Sequence, residues 1–140
     1  MNPEIIFADT NLFLRYLTND IPEQADAFEQ LLRRAIAGEF SLHTNSLVMA
    51  EIVWALESHY HQQKDEIQSK VLAILNTPGI EIIDSETILK AIIWYTEKNV
   101  DFIDAFNGAW MIDQGISTVC TFDRKHFSRF EGLKIVVPSN

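Results

Sequence analysis

The feature that most constrains the fold is a short apolar run near the N-terminus that ends abruptly in polar residues. Residues 5–8 read Ile-Ile-Phe-Ala and lead directly into Asp9-Thr10-Asn11. A continuous apolar run of this length predicts a strand buried on both faces. Helical spacing of apolar residues resumes at Leu12, so Asp9 is expected at the carboxyl end of a central strand. That position borders the ligand-binding crevice of open α/β sheets, although Asp9 is equally suited there to cap the next helix.

The rest of the chain alternates between short strands and amphipathic helices. Apolar spacing predicts helices at 22–37, 47–56, 64–76, 85–98 and 103–114, with strands at 40–44, 80–83, 117–122 and 134–137. Strands that alternate with helices predict the α/β class, with a parallel sheet covered on both faces. Neither a repeat nor a linker interrupts the pattern, so residues 1–140 are expected to form a single domain.

The composition narrows the classes of function. The chain carries 11 Lys and Arg against 20 Asp and Glu, a net charge of -9. This balance argues against a plain nucleic-acid-binding module, which usually has a basic face. It is compatible with an enzyme that gathers carboxylates around a divalent cation, and with a basic partner. The apolar runs are too short to span a membrane, so we expect a cytoplasmic protein without a membrane partner. The one cysteine, Cys120, follows Thr118-Val119 and is expected to be buried.

Four acidic residues stand in apolar surroundings. Asp9 and Asp123 follow strands, whereas Glu51 and Asp104 lie within apolar helices, where Lys and Arg are lacking nearby. An ionised carboxylate in such surroundings is costly unless a positive charge meets it. Mg²⁺ or Mn²⁺, bound by carboxylate oxygens, would provide the positive charge for all four acidic side chains. Because parallel strands end at one edge of a sheet, we expect the four side chains to converge there.

Three polar residues are expected to support this site. Asn11 follows Asp9 by two residues and is suited to orient a ligand, and Thr121 precedes Asp123 by two residues and can hydrogen-bond to the cluster. Asp101 lies three residues before Asp104. It would either join the carboxylates or serve as the N-cap of the following helix, and the usual cap preference favours the second role.

Taken together and in order, several segments resemble the signature of PIN domains, and most of all VapC-type toxins of bacterial and archaeal toxin–antitoxin pairs. The segments are Asp9-Thr10-Asn11, Leu14-Arg15-Tyr16-Leu17, Ala50-Glu51-Ile52, Asp101-Phe102-Ile103-Asp104-Ala105 and Thr121-Phe122-Asp123. The resemblance implies a three-layer α/β/α sandwich with a mainly parallel central sheet of about five strands.

The resemblance also implies a Mg²⁺-dependent endoribonuclease that hydrolyses RNA phosphodiester bonds, with Mn²⁺ as an alternative ion. The matching acidic quartet is Asp9, Glu51, Asp104 and Asp123, and the matching polar positions are Asn11 and Thr121. Toxins of this family are commonly homodimers held inactive by a small antitoxin. The candidates for contacts with RNA phosphates are Arg15, Arg33, Arg34, Arg124, Lys125 and Arg129.

Other functions stay open on the sequence alone. A haloacid-dehalogenase-like Mg²⁺ phosphatase would need a second Asp at position 11, where this chain has Asn. A PIN-like nuclease outside a toxin pair and a non-catalytic interaction module are further alternatives. His59 and His61 are two residues apart and would face apart on a helix, whereas a zinc site needs three or four convergent ligands, so the sequence does not favour metal binding there. His126, close to Asp123, is placed where it could touch a substrate, but a surface role is the favoured expectation.

Overall fold

A computed structural model of the protein describes residues 4–139, and residues 1–3 and 140 lie outside this part. Five strands and seven helices are present among the described residues. The strands are β1 Glu4–Phe7, β2 Phe40–Thr44, β3 Ile80–Ile82, β4 Thr118–Cys120 and β5 Lys134–Val136. The helices are α1 Thr10–Thr18, α2 Pro22–Ile36, α3 Ser46–Ser58, α4 Lys64–Leu75, α5 Ser85–Glu97, α6 Phe102–Asp113 and α7 Arg124–Phe127. None of these helices is long and apolar enough to cross a membrane.

All strand pairs are parallel, which confirms the predicted α/β class. β2 lies between β1 and β3 in a three-stranded sheet, and β4 pairs with β5 in a two-stranded sheet. The prediction of about five strands in one sheet differs from these pairings, since the larger hydrogen-bonded sheet has three. The chain divides into two compact units between Ser85 and Glu86. That residues 1–140 act as a single domain stays a prediction.

In the first unit, local signals set the helix boundaries and apolar faces build the core. Pro22 occupies the first turn of α2, where a missing N–H costs nothing, and Gly38 follows the helix with φ of 88°. The Asn45 side chain accepts a hydrogen bond from Val48 N and caps α3. Helix α1 packs against α2 and α3. The rings of Phe13 and Phe28 meet edge to face at 5.3 Å in this core.

Strand β1 is not the doubly buried central strand that the apolar run predicts. Within the described residues of the first unit, it is an outer strand of the three-stranded sheet and pairs with β2. Ile5 and Phe7, which share one face by the alternation of a strand, are 65% and 56% exposed, whereas Ala8 is fully buried. An apolar run reveals that a strand forms but not how many neighbours it pairs with, and this explains the error.

The second unit packs α5 and α6 around aromatic side chains. Tyr95 and Phe102 meet edge to face, and Trp94 stacks on Phe130 with ring centroids 4.9 Å apart. Gly108 of α6 lies beside this stack, where a Cβ atom would come within 3.0 Å of the Phe130 ring. The absence of a side chain at Gly108 therefore allows α6 to approach the segment that follows α7.

Candidate metal centre

Two of the predicted acidic residues lie at the start of α6. Asp101 is the N-cap residue, and its Oδ2 accepts a hydrogen bond from Ile103 N at 3.1 Å, which confirms the predicted cap. Asp104 lies in the first turn of the same helix. Its side chain is 23% exposed, so most of this carboxylate is removed from water. The start of α6 therefore holds one capping carboxylate and one that is largely buried.

A second pair of ligand-type side chains lies at the start of α7. Asp123 is the N-cap residue there: its Oδ1 accepts from His126 N at 3.2 Å, and its Oδ2 lies 3.0 Å from His126 Nδ1. Thr121 Oγ1 accepts a hydrogen bond from Asp123 N at 2.9 Å, so Thr121 supports the turn as predicted. The same His126 Nδ1 is 3.4 Å from Asp104 Oδ2. The imidazole thus joins the two carboxylates.

The three side chains form the one group of at least three His, Cys, Asp or Glu ligands found within the described part of the chain. One ligand atom from each of Asp104, Asp123 and His126 lies within 4.8 Å of the others. The sequence favours a surface role for His126, yet its side chain is only 33% exposed and contacts both carboxylates. Its spacing of three residues from Asp123, at the start of a helix, was the signal that could have revealed this contact.

The electrostatics of the two carboxylates differ. Burial raises the pKa of Asp104 above its ordinary value, and the negative charges of Asp101 and Asp123 raise it further, against an opposing effect of His126. The hydrogen bond from the backbone N–H of His126 lowers the pKa of Asp123, and the imidazole adds to this effect. Asp104 is therefore the carboxylate whose ionised form lacks compensation, which is what a bound cation would provide.

A cleft of about 380 Å³ opens beside Asp104. Its walls come from α6, β4, Thr121 and the last residue of α7, Phe127. Cys120 lines this cleft and is exposed, so the prediction of a buried cysteine is wrong. Alternation along β4 places Cys120 on the same exposed face as Thr118, whereas Val119 points to the less exposed side. The cleft is large enough to admit part of a polar ligand next to the Asp104 carboxylate.

The first unit carries the remaining predicted residues of the quartet. Asp9 is the N-cap residue of α1 and is exposed, but its side chain makes no capping hydrogen bond with the part of the chain that the structure describes. A hydrogen bond from β2 fixes the backbone next to Asp9: the buried Thr44 Oγ1 donates to Ala8 O at 3.0 Å. Asn11 is exposed in the first turn of α1. Asp9 therefore presents an exposed carboxylate, without a capping contact to the described residues, on a fixed backbone.

Glu51 lies on an exposed face of α3. Leu47 and Trp54, four residues before it and three after, share this face and are 73% and 67% exposed. Glu51 is exposed as well, whereas Ile52 and Val53 are buried. The apolar context of Glu51 is therefore a surface stripe and not the core of the protein.

The predicted phosphate-binding cations differ in how far they are engaged. The Arg15 guanidinium contacts Asp20 at 3.1 Å, Gln24 at 3.2 Å and the Tyr60 hydroxyl at 3.3 Å. Arg129 Nη1 donates to the carbonyls of Lys98 and Asn99, just before α6. Arg33 and Arg34 form ion pairs with nearby glutamates. Arg124 and Lys125 are exposed in α7, directly after Asp123.

Comparisons with known proteins agree with the resemblance inferred from the sequence. The PIN domain family model matches residues 6–133. A VapC ribonuclease from Aquifex aeolicus (strain VF5) is 27% identical over 130 residues, which cover 93% of this chain and 94% of that protein. A crystal structure of VapBC2 from Rickettsia felis, bound to a DNA fragment from their promoter, aligns with 96% of this chain and 99% of that chain, with a TM-score of 0.39 and 18% identity. Since the family match runs through nearly the whole sequence, the chain belongs to the PIN domain family.

Proposed function

We propose that this protein is a metal-dependent endoribonuclease that hydrolyses RNA phosphodiester bonds and serves as the toxin of a toxin–antitoxin pair. Membership of the PIN domain family and the similarity to a protein named VapC ribonuclease support this reaction. One observation carries the proposal: Asp104, Asp123 and His126 each offer a ligand atom within 4.8 Å of the others. Such a cluster is suited to a divalent cation.

The chemistry of these side chains fits a divalent cation. Carboxylate oxygens are the ligands that Mg²⁺ and Mn²⁺ prefer in proteins. Burial and two negative neighbours raise the pKa of Asp104, so its ionised form would gain from a nearby positive charge. In this proposal, the cation is held by the four carboxylates of Asp9, Glu51, Asp104 and Asp123. When bound, the ion would neutralise the negative charge that develops on the phosphate during hydrolysis.

The other residues of the site have distinct roles in the proposal. Thr121 accepts a hydrogen bond from Asp123 N and so holds the turn that presents the Asp123 carboxylate. Asn11 would orient a ligand next to Asp9. Asp101 caps α6 and, through its negative charge, acts on Asp104 without having to contact the substrate. Through these roles, the three residues would hold the acidic side chains in position.

Contacts with the RNA backbone are proposed for the exposed cations next to the cluster. Arg124 and Lys125 are exposed and adjacent to Asp123, so their charges are available to phosphates. Arg15 stays a proposed phosphate contact, but its ion pair with Asp20 would have to open before its whole charge reached RNA. We therefore expect Arg124 and Lys125 to contribute more than Arg15 to RNA affinity.

The antitoxin would be a small protein with basic side chains. A net charge of -9 attracts a basic partner, and the stripe formed by Leu47, Glu51 and Trp54 offers exposed apolar area beside a carboxylate. A homodimer is also proposed, on the resemblance to VapC-type toxins. Size-exclusion chromatography coupled to light scattering, with and without the product of a neighbouring reading frame, would measure both associations.

The test of the nuclease is cleavage of a mixed RNA pool with Mg²⁺, with Mn²⁺ and with a chelator. Asp9→Asn would be assayed beside the parent protein, and Asp26→Asn would be the matched control, because Asp26 is exposed on α2 and is not a member of the predicted quartet. We expect cleavage that requires the metal ion and is lost only in Asp9→Asn. If Asp9→Asn cuts the same RNA at the parent rate, the proposed site is wrong.

The toxin role has a separate test. Expression of the parent protein in a bacterial host is expected to arrest growth, whereas Asp9→Asn is expected to leave growth unaffected. Co-expression of the neighbouring reading frame should restore growth of cells that make the parent protein. Normal growth despite RNA cleavage in vitro would favour a PIN-domain nuclease outside a toxin pair.

A further inference from the structure

We propose that His126 is itself a ligand of the cation at Asp104 and Asp123, and that its nitrogen makes the site prefer Mn²⁺ to Mg²⁺. The inference rests on the proposed metal site and adds to it a donor that is not a carboxylate. It concerns the second unit of the chain only, where Asp104, Asp123 and His126 contact one another.

The two distances from the His126 imidazole to the carboxylates are close to those between neighbouring ligands of one ion. His126 Nδ1 lies 3.0 Å from Asp123 Oδ2 and 3.4 Å from Asp104 Oδ2. In an octahedral site with metal–ligand distances of about 2.1 Å, adjacent ligand atoms are about 3 Å apart. The imidazole nitrogen is therefore as close to the two carboxylates as a third ligand of the same ion would be.

The local fold fixes the imidazole in this place. The His126 backbone N–H donates to Asp123 Oδ1, so the cap of α7 brings the ring alongside the other carboxylate oxygen. Phe127, 7% exposed, follows in the same helix, and its ring meets Phe130 edge to face. Phe127 is anchored in the core and the backbone of His126 belongs to the cap of α7. Binding of a cation by Nδ1 would therefore cost little further conformational entropy.

A nitrogen donor changes which ion the site favours. Mg²⁺ takes oxygen ligands almost exclusively, whereas Mn²⁺, which also favours carboxylate oxygens, accepts an imidazole nitrogen more readily than Mg²⁺ does. A site of carboxylates alone would bind the two ions through the same oxygens. With His126 as a ligand, removal of the imidazole should weaken Mn²⁺ binding much more than Mg²⁺ binding.

The experiment uses the full chain without RNA and follows Mn²⁺ binding by electron paramagnetic resonance. Electron spin echo envelope modulation then reports whether a ¹⁴N nucleus is bonded directly to Mn²⁺. His126→Asn retains a hydrogen-bonding side chain but lacks the imidazole. His59→Asn is the matched control, since His59 is exposed at the end of α3. Thermal melting by circular dichroism confirms that both variants fold.

We expect ¹⁴N modulation in the parent protein and in His59→Asn, and its loss in His126→Asn. We also expect the dissociation constant for Mn²⁺ to rise at least about tenfold in His126→Asn, the lower end of what loss of a supporting ligand costs, and that for Mg²⁺, measured by competition, to change less than about twofold. Absence of Mn²⁺ binding, Mn²⁺ binding without ¹⁴N modulation, or modulation that survives in His126→Asn would overturn the inference.

The outcomes also separate this inference from the proposed function. Mn²⁺ binding without a nitrogen signal, together with metal-dependent RNA cleavage, would leave the nuclease standing and reduce His126 to a hydrogen-bond partner of Asp123. A nitrogen signal that depends on His126, without cleavage of any RNA, would leave the ligand assignment standing and remove the nuclease.

Discussion

The close approach of α6 to Phe130 makes Gly108→Ala an informative perturbation. Gly108 lies one turn after Asp104 on α6, and a Cβ atom there would meet Phe130 Cδ2 and Cε2 at 3.0 Å and Trp94 Cζ3 at 3.4 Å. Ordinary carbon–carbon contacts are about 3.5–4.0 Å, so the Phe130 ring would have to move by about 0.5 Å or more. The variant therefore tests whether the packing that supports the Asp104 helix can give way.

Two opposing effects set the change in the free energy of unfolding. Ala is about 1 kcal/mol better than Gly in a helix interior, whereas overpacking a filled core costs about 1–3 kcal/mol. Phe130 is 2% exposed, stacks on Trp94 at 4.9 Å and contacts Phe127 at 5.9 Å, so its ring has little room to shift. We therefore expect a net loss of about 1–2 kcal/mol in the free energy of unfolding, which for a chain of 140 residues lowers Tm by about 3–7 °C.

The assay is thermal and urea unfolding of Gly108→Ala, Phe130→Leu and the double variant. The smaller Leu side chain should relieve the clash, so the double variant should lose at least about 0.5 kcal/mol less than the sum of the single variants. Asn107→Ala, an exposed change in the same helix, controls for helix propensity alone. A higher Tm in Gly108→Ala, or strict additivity in the double variant, would refute the reasoning.

Three further predictions follow from particular contacts. Thr44→Val removes the buried hydrogen bond to Ala8 O and should lower the free energy of unfolding by about 1–2 kcal/mol in urea titrations. The pKa of Asp104 is raised in the folded state, so ionisation of this carboxyl destabilises the fold as the pH rises through that pKa. Asp104→Asn should therefore have a higher Tm than the parent at pH 7 in the presence of a chelator, and the difference in Tm should disappear in acid. In Tyr60→Phe, the hydroxyl that contributes most to lowering the pKa of Asp20 is lost, so an NMR titration of that carboxyl should show its pKa moving up towards the ordinary value.

Local signals made the helices predictable from the sequence. The boundaries of α2, α3 and α6 lie within a residue or two of those expected, because Pro22, Gly38, Asn45 and Asp101 act on the backbone next to them. Strand pairing has no such local signal. The apolar composition of β1 does not indicate that, among the described residues of its unit, this strand is at the outside of the three-stranded sheet with one face exposed.

The contacts of the candidate site were less predictable because they join residues far apart in the chain. His126 contacts Asp104, which lies in a different helix, and no periodic pattern connects the two. Arg15 meets the Tyr60 hydroxyl at 3.3 Å across 45 residues, so a cation that the sequence suggests is free for RNA is engaged with other side chains. The types of residue at the site were predictable, whereas their partners required the three-dimensional structure.

An aspartate at a helix start does not have to be either a cap or a metal ligand, because one carboxylate can do both. Asp9 and Asp101 each pose the alternative of a helix cap or a metal ligand, yet a carboxylate has two oxygens with about four lone pairs between them. Asp123 uses Oδ1 to accept the backbone N–H of His126 and presents Oδ2 to the imidazole. Capping therefore fixes this carboxylate in place while leaving an oxygen for a cation, so the local preference for Asp at a helix start favours a metal site at that position as much as it explains the cap.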